Sequence, residues 1–193
     1  MTINQIEKKW FTSYWSCIKR LKKLKDNKYL KVDYIERYSS GIYSLTKQGL
    51  DFINDYYGYG YKNYSRSNKI NHFTSCSDFY INFPYSILEY KMEYNLKNII
   101  PDIYVKYNNP YKNKKVDLLV EIDNTNRKGI IKSKIKTYNK FFSSGVWQDF
   151  FTKFPKCLIV TDNESVDVSN STIPFVIISF DDLKTNKLKQ LLK

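Results

Sequence analysis

The chain has 193 residues, with 32 Lys and Arg against 19 Asp and Glu, which gives a formal net charge of +13. Hydrophobic residues make up 42% and aromatic residues 17%, so the chain can form a core and wholesale disorder is excluded. The length allows one medium domain or two small ones. No apolar run reaches the ~20 residues of a membrane helix and the N-terminal segment does not resemble a signal peptide, so we expect a cytoplasmic protein without membrane contact.

The composition also excludes two kinds of cysteine and histidine chemistry. The cysteines Cys17, Cys76 and Cys157 lie far apart, and His72 is the single histidine. A structural zinc site needs four nitrogen or sulfur ligands at short spacing, and no such cluster occurs. Ser-His-Asp or Cys-His catalysis would depend on His72, which has no supporting motif beside it.

Positive charge is concentrated in two parts of the sequence. The first cluster lies between residues 19 and 31, where Asp26 is the only acid among seven cations. The second cluster contains no acid between its ends, and its members are Lys128, Lys132, Lys134, Lys136 and Lys140. Separate basic clusters favour a polyanionic partner, most often nucleic acid, although lysine-rich faces also serve solubility.

The first cluster falls on a predicted helix with one polar side. Apolar spacing predicts a first helix over residues 3–10 with Thr2 as its N-cap, and a second helix that Thr12 or Ser13 caps and that reaches about Asp26. Tyr14 joins the apolar stripe of the second helix. The opposite side presents short hydroxyls and then cations, namely Thr12, Ser16, Lys19, Arg20 and Lys23. This order suits a helix in the major groove, with the hydroxyls near base edges and the cations near phosphates.

A two-stranded hairpin and a further helix are predicted next. Residues 29–37 and 42–45 have the composition of strands around a turn at 39–41, and Thr46 caps a helix that ends near Gly58. This order of elements is typical of a winged helix-turn-helix, in which Lys31 and Arg37 of the wing would contact DNA. The usual first helix is missing, so the 46–57 helix or a dimer partner would replace it. Adjacent half-sites on the DNA predict a homodimer.

We therefore predict a DNA-binding domain over 1–58, a polar linker over 59–71 and an α/β domain over 72–193. The second domain begins with a helix over 71–83. Further strands are predicted over 87–95, 103–105, 116–123, 157–160 and 175–178, with helices over 128–142 and from residue 181. The fold class is α+β or α/β, with a mixed sheet and helical crossovers.

Carboxylates follow two of these strands. Asp102 opens one strand, whereas Glu121 and Asp123 lie near the end of another. If the strands pair, the three side chains converge at one end of the sheet, and a divalent cation would relieve their repulsion. The sequence thus predicts Mg²⁺ on Asp102 and Glu121. The alternative is a cap or turn role for Asp102 and Asp123 and a surface salt bridge for Glu121.

The spacing PD…ExD resembles the PD-(D/E)xK nuclease signature, with Asp123 where a lysine is expected. The following helix could supply that lysine. Its buried stripe is predicted to contain Ile131, Ile135, Tyr138 and Phe142, and Lys134 lies about 60–70° from the centre of that stripe. The lysines at 132, 136 and 140 point outward. Lys134 is therefore the candidate lysine for chemistry.

Short blocks in order along the chain resemble the bacterial plasmid replication-relaxation family. They are TINQIEKKWF, IKRLKKL, YSLTKQGL, IPDIYV, LLVEIDNTNRKG, SKIKTY and FPKCLIVTDN. The resemblance implies a winged helix joined to a restriction-endonuclease-like domain that acts at replication or transfer origins of mobile DNA. It does not imply cleavage, because Asp123 departs from the nuclease pattern.

Three hypotheses of function follow. The first is a duplex DNA-binding protein in replication or mobilisation of a plasmid or other mobile element. The second is a Mg²⁺-dependent nuclease or nickase that uses Asp102, Glu121, Asp123 and Lys134. The third is a module that recruits a replicase or relaxase through exposed tyrosines, namely Tyr56, Tyr57, Tyr59, Tyr61 and Tyr64.

Overall fold

The computed structural model describes residues 1–34, 40–58, 70–124 and 129–193. The described residues form two compact units, Met1–Ile81 and Asn82–Lys193. The predicted mixture of helices and strands is confirmed. Several residues of the sequence analysis lie outside the described ranges, namely Arg37, Lys128, Tyr59, Tyr61, Tyr64, part of the 39–41 turn and most of the 59–71 linker.

The first unit contains four helices and a two-stranded sheet within its described residues. These are α1 (Ile3–Trp10), α2 (Tyr14–Asp26), β1 (Leu30–Asp33), β2 (Ile42–Leu45), α3 (Lys47–Tyr57) and α4 (Ile70–Asn82), whose last residue belongs to the second unit. Two predicted caps are confirmed: Thr2 forms a capping box with Gln5, and the Thr46 side chain accepts from Gly49. Ser13 is at the N-cap position of α2, but its side chain makes no capping hydrogen bond to that helix. Helix α3 ends at Gly58, whose φ of 68° is readily adopted by glycine.

The segment before α1 pairs with the β1–β2 hairpin. Strands β1 and β2 are antiparallel, with Leu30 opposite Leu45. Thr2 forms a bridge to Ile42, and the Tyr43 N–H donates to the Met1 carbonyl at 2.8 Å. The start of α1 is therefore joined to the hairpin by backbone hydrogen bonds.

Helix α4 packs against α1, although the sequence assigned residues 72–81 to the second domain. The buried Gln5 side chain donates to the Thr74 carbonyl at 3.1 Å and to Asp78 Oδ1 at 2.8 Å. The rings of Trp10 and Tyr80 lie 6.4 Å apart. The division at 81 thus differs from the predicted boundaries because a polar contact joins residues far apart in the chain. Helix α4 also supplies a third helix beside α1.

The second unit is built on a five-stranded mixed sheet. Its elements are β3 (Ile87–Met92), β4 (Ile103–Asn109), β5 (Lys114–Asp123), α5 (Ile130–Ser143), a 3-10 helix (Val146–Asp149), β6 (Lys156–Thr161), β7 (Phe175–Ile178), α6 (Phe180–Leu183) and α7 (Lys187–Leu191). The strand order is β3-β4-β5-β6-β7, with β3 to β5 antiparallel and β5 to β7 parallel. Helix α5 is the crossover between the parallel strands β5 and β6.

Helix α5 covers the face of the sheet that carries Tyr104 and Leu119. Tyr138 and Phe141 of α5 are buried in the same apolar cluster as those two residues. Phe142, which the sequence placed in the buried stripe, is instead 38% exposed and stacks on Trp147. The stripe continues three residues after Tyr138 rather than four, which is an equally regular helical spacing.

The cysteines and the lengths of the helices bear on two of the exclusions made from the sequence. The three cysteines are free and buried. No helix within the described ranges is both long enough and apolar enough to cross a bilayer.

Gly49 provides a test of how α3 packs. A Cβ at this position would lie 2.2 Å from the Tyr29 carbonyl oxygen. Glycine to alanine in a helix interior usually stabilises by about 1 kcal/mol, but here we expect Gly49→Ala to lower the melting temperature because backbone must move. Gln48→Ala, at the exposed neighbouring position, is the control and should change it little. A higher melting temperature for Gly49→Ala would contradict this packing.

Candidate functional site

Asp102 and Glu121 lie opposite each other on neighbouring strands. Ile103 pairs with Val120 in the antiparallel β4–β5 register, so Asp102, one residue before β4, falls beside Glu121. The Ile122 N–H donates to Asp102 Oδ2 at 2.8 Å. The Asp102 carboxylate is thereby held across the strand pair.

Lys134 of α5 joins the two carboxylates. Its Nζ lies 2.9 Å from Asp102 Oδ2 and donates to Glu121 Oε2 as well. The Glu121 side chain is 3% exposed, whereas that of Lys134 is 32% exposed. Lys132 and Lys136 are exposed on the outer side of α5. The angular position of Lys134 on the helix thus predicts its direction correctly, and the alternative of a surface salt bridge for Glu121 is wrong.

Tyr138 completes the contacts of Glu121, and the sequence analysis treated it only as a core residue. Its hydroxyl donates to Glu121 Oε1 at 2.7 Å. Both oxygens of Glu121 therefore accept hydrogen bonds from α5, one from Lys134 and one from Tyr138. The available signal was the spacing of four residues between Lys134 and Tyr138, which places both on the side of α5 that faces Glu121.

The burial of this site changes how its groups ionise. Burial, and then the nearby Asp102 carboxylate, raise the pKa of Glu121 to about 8 even though Lys134 acts to lower it. Burial also disfavours the charged form of Lys134, but Glu121 and Asp102 outweigh that effect and raise its pKa. Near neutral pH the site therefore holds the Lys134 ammonium and mainly protonated Glu121.

Asp123 does not join this group in the way the sequence analysis expected. It is buried at the seam between β5 and β6, opposite Thr161, whose hydroxyl donates to Asp123 Oδ2 at 3.3 Å. Within the described ranges no three His, Cys, Asp or Glu side chains are grouped so that they could hold a metal ion. The predicted convergence of three carboxylates is therefore reduced to two.

An open cavity of about 520 Å³ gives access to Lys134. One wall is the loop 97–100, and the other is formed by α5 residues together with Glu121. Lys97 and Lys134 both line it, and Lys97 forms an exposed ion pair with Asp149 at 2.7 Å. A small anionic group that entered this cavity would meet two ammonium groups.

The outward side of α2 is open to solvent. Its exposed residues, with Thr12 just before the helix, include Thr12, Ser16, Lys19, Arg20, Lys22 and Lys23, and the helix ends at the exposed acid Asp26. Cys17 and Leu21 are buried on the opposite side. None of the cations Lys19, Arg20 and Lys23 forms an ion pair with any residue that the structure describes. In β1, Lys31 is partly buried and lies 3.7 Å from Asp33.

Two aromatic side chains extend this exposed surface. Trp15 is 77% exposed, and Tyr14, which the sequence placed in the buried stripe, is 46% exposed. At about 100° per residue, Trp15 lies on the same side of α2 as Lys19 and Lys22. A tryptophan is usually largely buried, so the exposure of Trp15 was not expected from the sequence.

A protein-family model described as Replication-relaxation matches residues 1–156. The matched range contains α2 and all the residues that meet at Lys134. No curated protein gives a significant match to the chain, and no solved structure does.

The raised pKa of Glu121 predicts a pH dependence of stability. In the folded state Glu121 keeps its proton up to about pH 8, whereas its ordinary pKa is 4.5. The raised pKa therefore contributes its full stabilisation below pH 4.5. This stabilisation is lost as the pH rises to 8. Glu121→Gln removes the titration. We expect the free energy of unfolding of this variant, measured relative to that of the native chain, to rise by a few kcal/mol between pH 5 and 9.

Urea unfolding in buffers that contain EDTA measures this difference. Glu164→Gln, at an exposed position, is the control and should give a difference that does not vary with pH. A constant difference for Glu121→Gln as well would contradict the raised pKa.

Proposed function

Because the chain belongs to the replication-relaxation family, we propose that it binds duplex DNA through α2 in replication or mobilisation of a plasmid or other mobile element. The observation that carries this proposal is the set of cations on one exposed side of α2 that have no ion-pair partner among the described residues. Phosphates would neutralise these cations, and the short hydroxyls of Thr12 and Ser16 would approach base edges. Trp15 beside them supplies apolar contact area.

The surrounding elements support the same assignment. Helix, turn, helix and hairpin follow one another in the order of a winged helix-turn-helix, and the bridge from Thr2 to Ile42 joins the hairpin to the start of α1. In this proposal α2 enters the major groove, and Lys31 of the hairpin would contact the DNA backbone, as would Arg37, which lies outside the described residues. Two chains on adjacent half-sites would form the homodimer that such sites require.

The recruiting hypothesis concerns a different surface. Tyr56 and Tyr57 are 71% and 58% exposed on α3, and Phe52 stacks on Tyr56. Asp51 and Asp55 lie on the same helix. Their negative charges would repel phosphates, so they disfavour a contact of α3 with DNA. We therefore assign α3 to contacts with replication or relaxosome proteins and α2 to DNA.

Loss of two cations from α2 tests the DNA-binding proposal. We expect Lys19→Ala with Lys23→Ala to weaken binding of a short duplex more than tenfold and to reduce the slope of log K against log salt by roughly 2, because each phosphate contact contributes about 0.9. Fluorescence anisotropy over a salt series measures both quantities.

The matched control removes two lysines from the second unit. Lys184 and Lys187 are exposed and paired with Asp181 and Asp182, so Lys184→Ala with Lys187→Ala gives the same change in net charge. Equal binding by the two double variants would show that α2 is not the DNA contact.

The geometry around Lys134 favours a second candidate function, metal-dependent cleavage of a phosphodiester. Two strand-end carboxylates and a helix lysine meet beside an open cavity, and Lys134 occupies the role that Asp123 cannot fill. The ammonium would stabilise negative charge that develops on the phosphate. The Ile122 N–H and the Tyr138 hydroxyl would hold Asp102 and Glu121 in place.

The two carboxylates also fit Mg²⁺. This ion is often held by one or two carboxylates, with waters and substrate phosphate oxygens completing its shell. Asp102 and Glu121 lie beside each other across the strand pair, so one oxygen of each would approach the same ion, which would displace the Glu121 proton and move the Lys134 ammonium aside. When bound, the ion would polarise the phosphate.

Incubation with supercoiled, linear and single-stranded DNA tests this candidate. We expect nicking or cleavage with Mg²⁺ or Mn²⁺ that EDTA stops and that Asp102→Ala or Lys134→Met abolishes, because each loses a group at the cleavage site. Lys132→Met, two residues away on the outer side of α5, should retain activity. No cleavage of any substrate by the native chain would eliminate the candidate and leave the DNA-binding proposal untouched.

A further inference from the structure

A second basic surface lies at the end of the sheet away from Asp102. Strand β4 runs from Ile103 to Asn109, about 23 Å at 3.3 Å per residue, and a turn then leads into β5. Lysines of this turn, of the start of β5 and of the start of β6 form what we call the hairpin patch. Its members are Lys112, Lys114 and Lys156.

No carboxylate of the described residues forms an ion pair with these three lysines. Lys106 on the same hairpin, in contrast, lies 3.7 Å from Asp117. Burial, and then the charges of Lys112 and Lys114, lower the pKa of Lys156. The Lys156 ammonium therefore lies close enough to those of Lys112 and Lys114 to be repelled by them.

The hairpin patch draws on separate segments of the chain. The β5–β6 register places Lys156 opposite Leu118, so the start of β6 lies near the hairpin end of β5. Lys156 is partly buried, and its Nζ reaches the Leu192 carbonyl at 3.5 Å. Beside the patch, Tyr111 is 53% exposed and the Lys193 ammonium lies 4.8 Å above its ring. The fold thus gathers like charges that are distant in sequence, and an anion would relieve their repulsion.

We propose that the hairpin patch is a second contact for the phosphate backbone of duplex DNA. This inference rests on the proposed function, because it assumes that the chain binds a duplex. Lysine ammonium groups bind phosphates as point charges, without reading bases. The patch therefore contributes affinity that is independent of DNA sequence.

The test is a salt series with the full chain and two unrelated duplexes of about 20 base pairs. Lys112→Ala with Lys114→Ala should reduce the slope of log K against log salt by about 1.8, from two phosphate contacts at about 0.9 each, and equally on both duplexes. Lys184→Ala with Lys187→Ala removes the same charge from paired positions and should leave the slope unchanged. Equal slopes for the two double variants would overturn the inference.

The α2 variant separates this inference from the proposed function. We call Lys112→Ala with Lys114→Ala the patch variant, or hairpin variant. If Lys19→Ala with Lys23→Ala reduces DNA binding while the patch variant binds like the control, the hairpin patch is refuted and the assignment of α2 stands. If only the hairpin variant loses binding, the patch is supported and the assignment of α2 fails. If Lys112→Ala with Lys114→Ala weakens binding of heparin or RNA but not binding of duplex DNA, duplex DNA is refuted as the partner of the patch. Native melting temperatures of these exposed-site variants verify that each chain is folded.

Discussion

The Lys134 ammonium between two carboxylates is the interaction on which the second unit's chemistry depends. Asp102 and Glu121 face each other across a strand pair, where two negative charges in a buried place would repel strongly. The ammonium on α5 and a proton on Glu121 offset that repulsion. The site is therefore a balance between sheet pairing, which brings the acids together, and the crossover helix, which supplies the compensating charge.

The lysines of this protein differ in whether a nearby carboxylate offsets their positive charge. Lys134 is held by two carboxylates, and exposed lysines such as Lys97 and Lys187 each have a carboxylate partner. On α2 and in the hairpin patch the cations have no such partner within the described residues. A net charge of +13 does not by itself separate these groups, but their partners do. The unpaired groups are the ones on which the proposed DNA contacts of α2 and of the hairpin patch rest.

Local patterns predicted most of the elements and part of the site. Thr2, Thr46 and Gly58 are located where helices begin or end, because caps are determined by neighbouring residues. Lys134 could be predicted because its angle on a regular helix is known once the buried stripe is found. The angle of Phe142 was predicted wrongly because either of two helical spacings continues that stripe.

Features that depend on distant partners could not be derived in this way. Gln5 gives no sign in the sequence that it binds residues of α4, almost seventy positions later. Asp123 joins Thr161 only because β5 and β6 are parallel neighbours, and that pairing follows from the whole sheet. For the same reason the proximity of Lys156 to the β4–β5 turn is a property of the fold rather than of any motif.

The opposition of Asp102 and Glu121 ties the site to the alignment of β4 and β5. Side chains alternate between the two faces of a sheet, so a single residue inserted within β4 would carry Asp102 to the face away from α5. The turn between the strands could change length without moving either acid. Divergence among related chains should accordingly be tolerated in the loop and resisted along the strand, with the spacing from Asp102 to the turn kept constant.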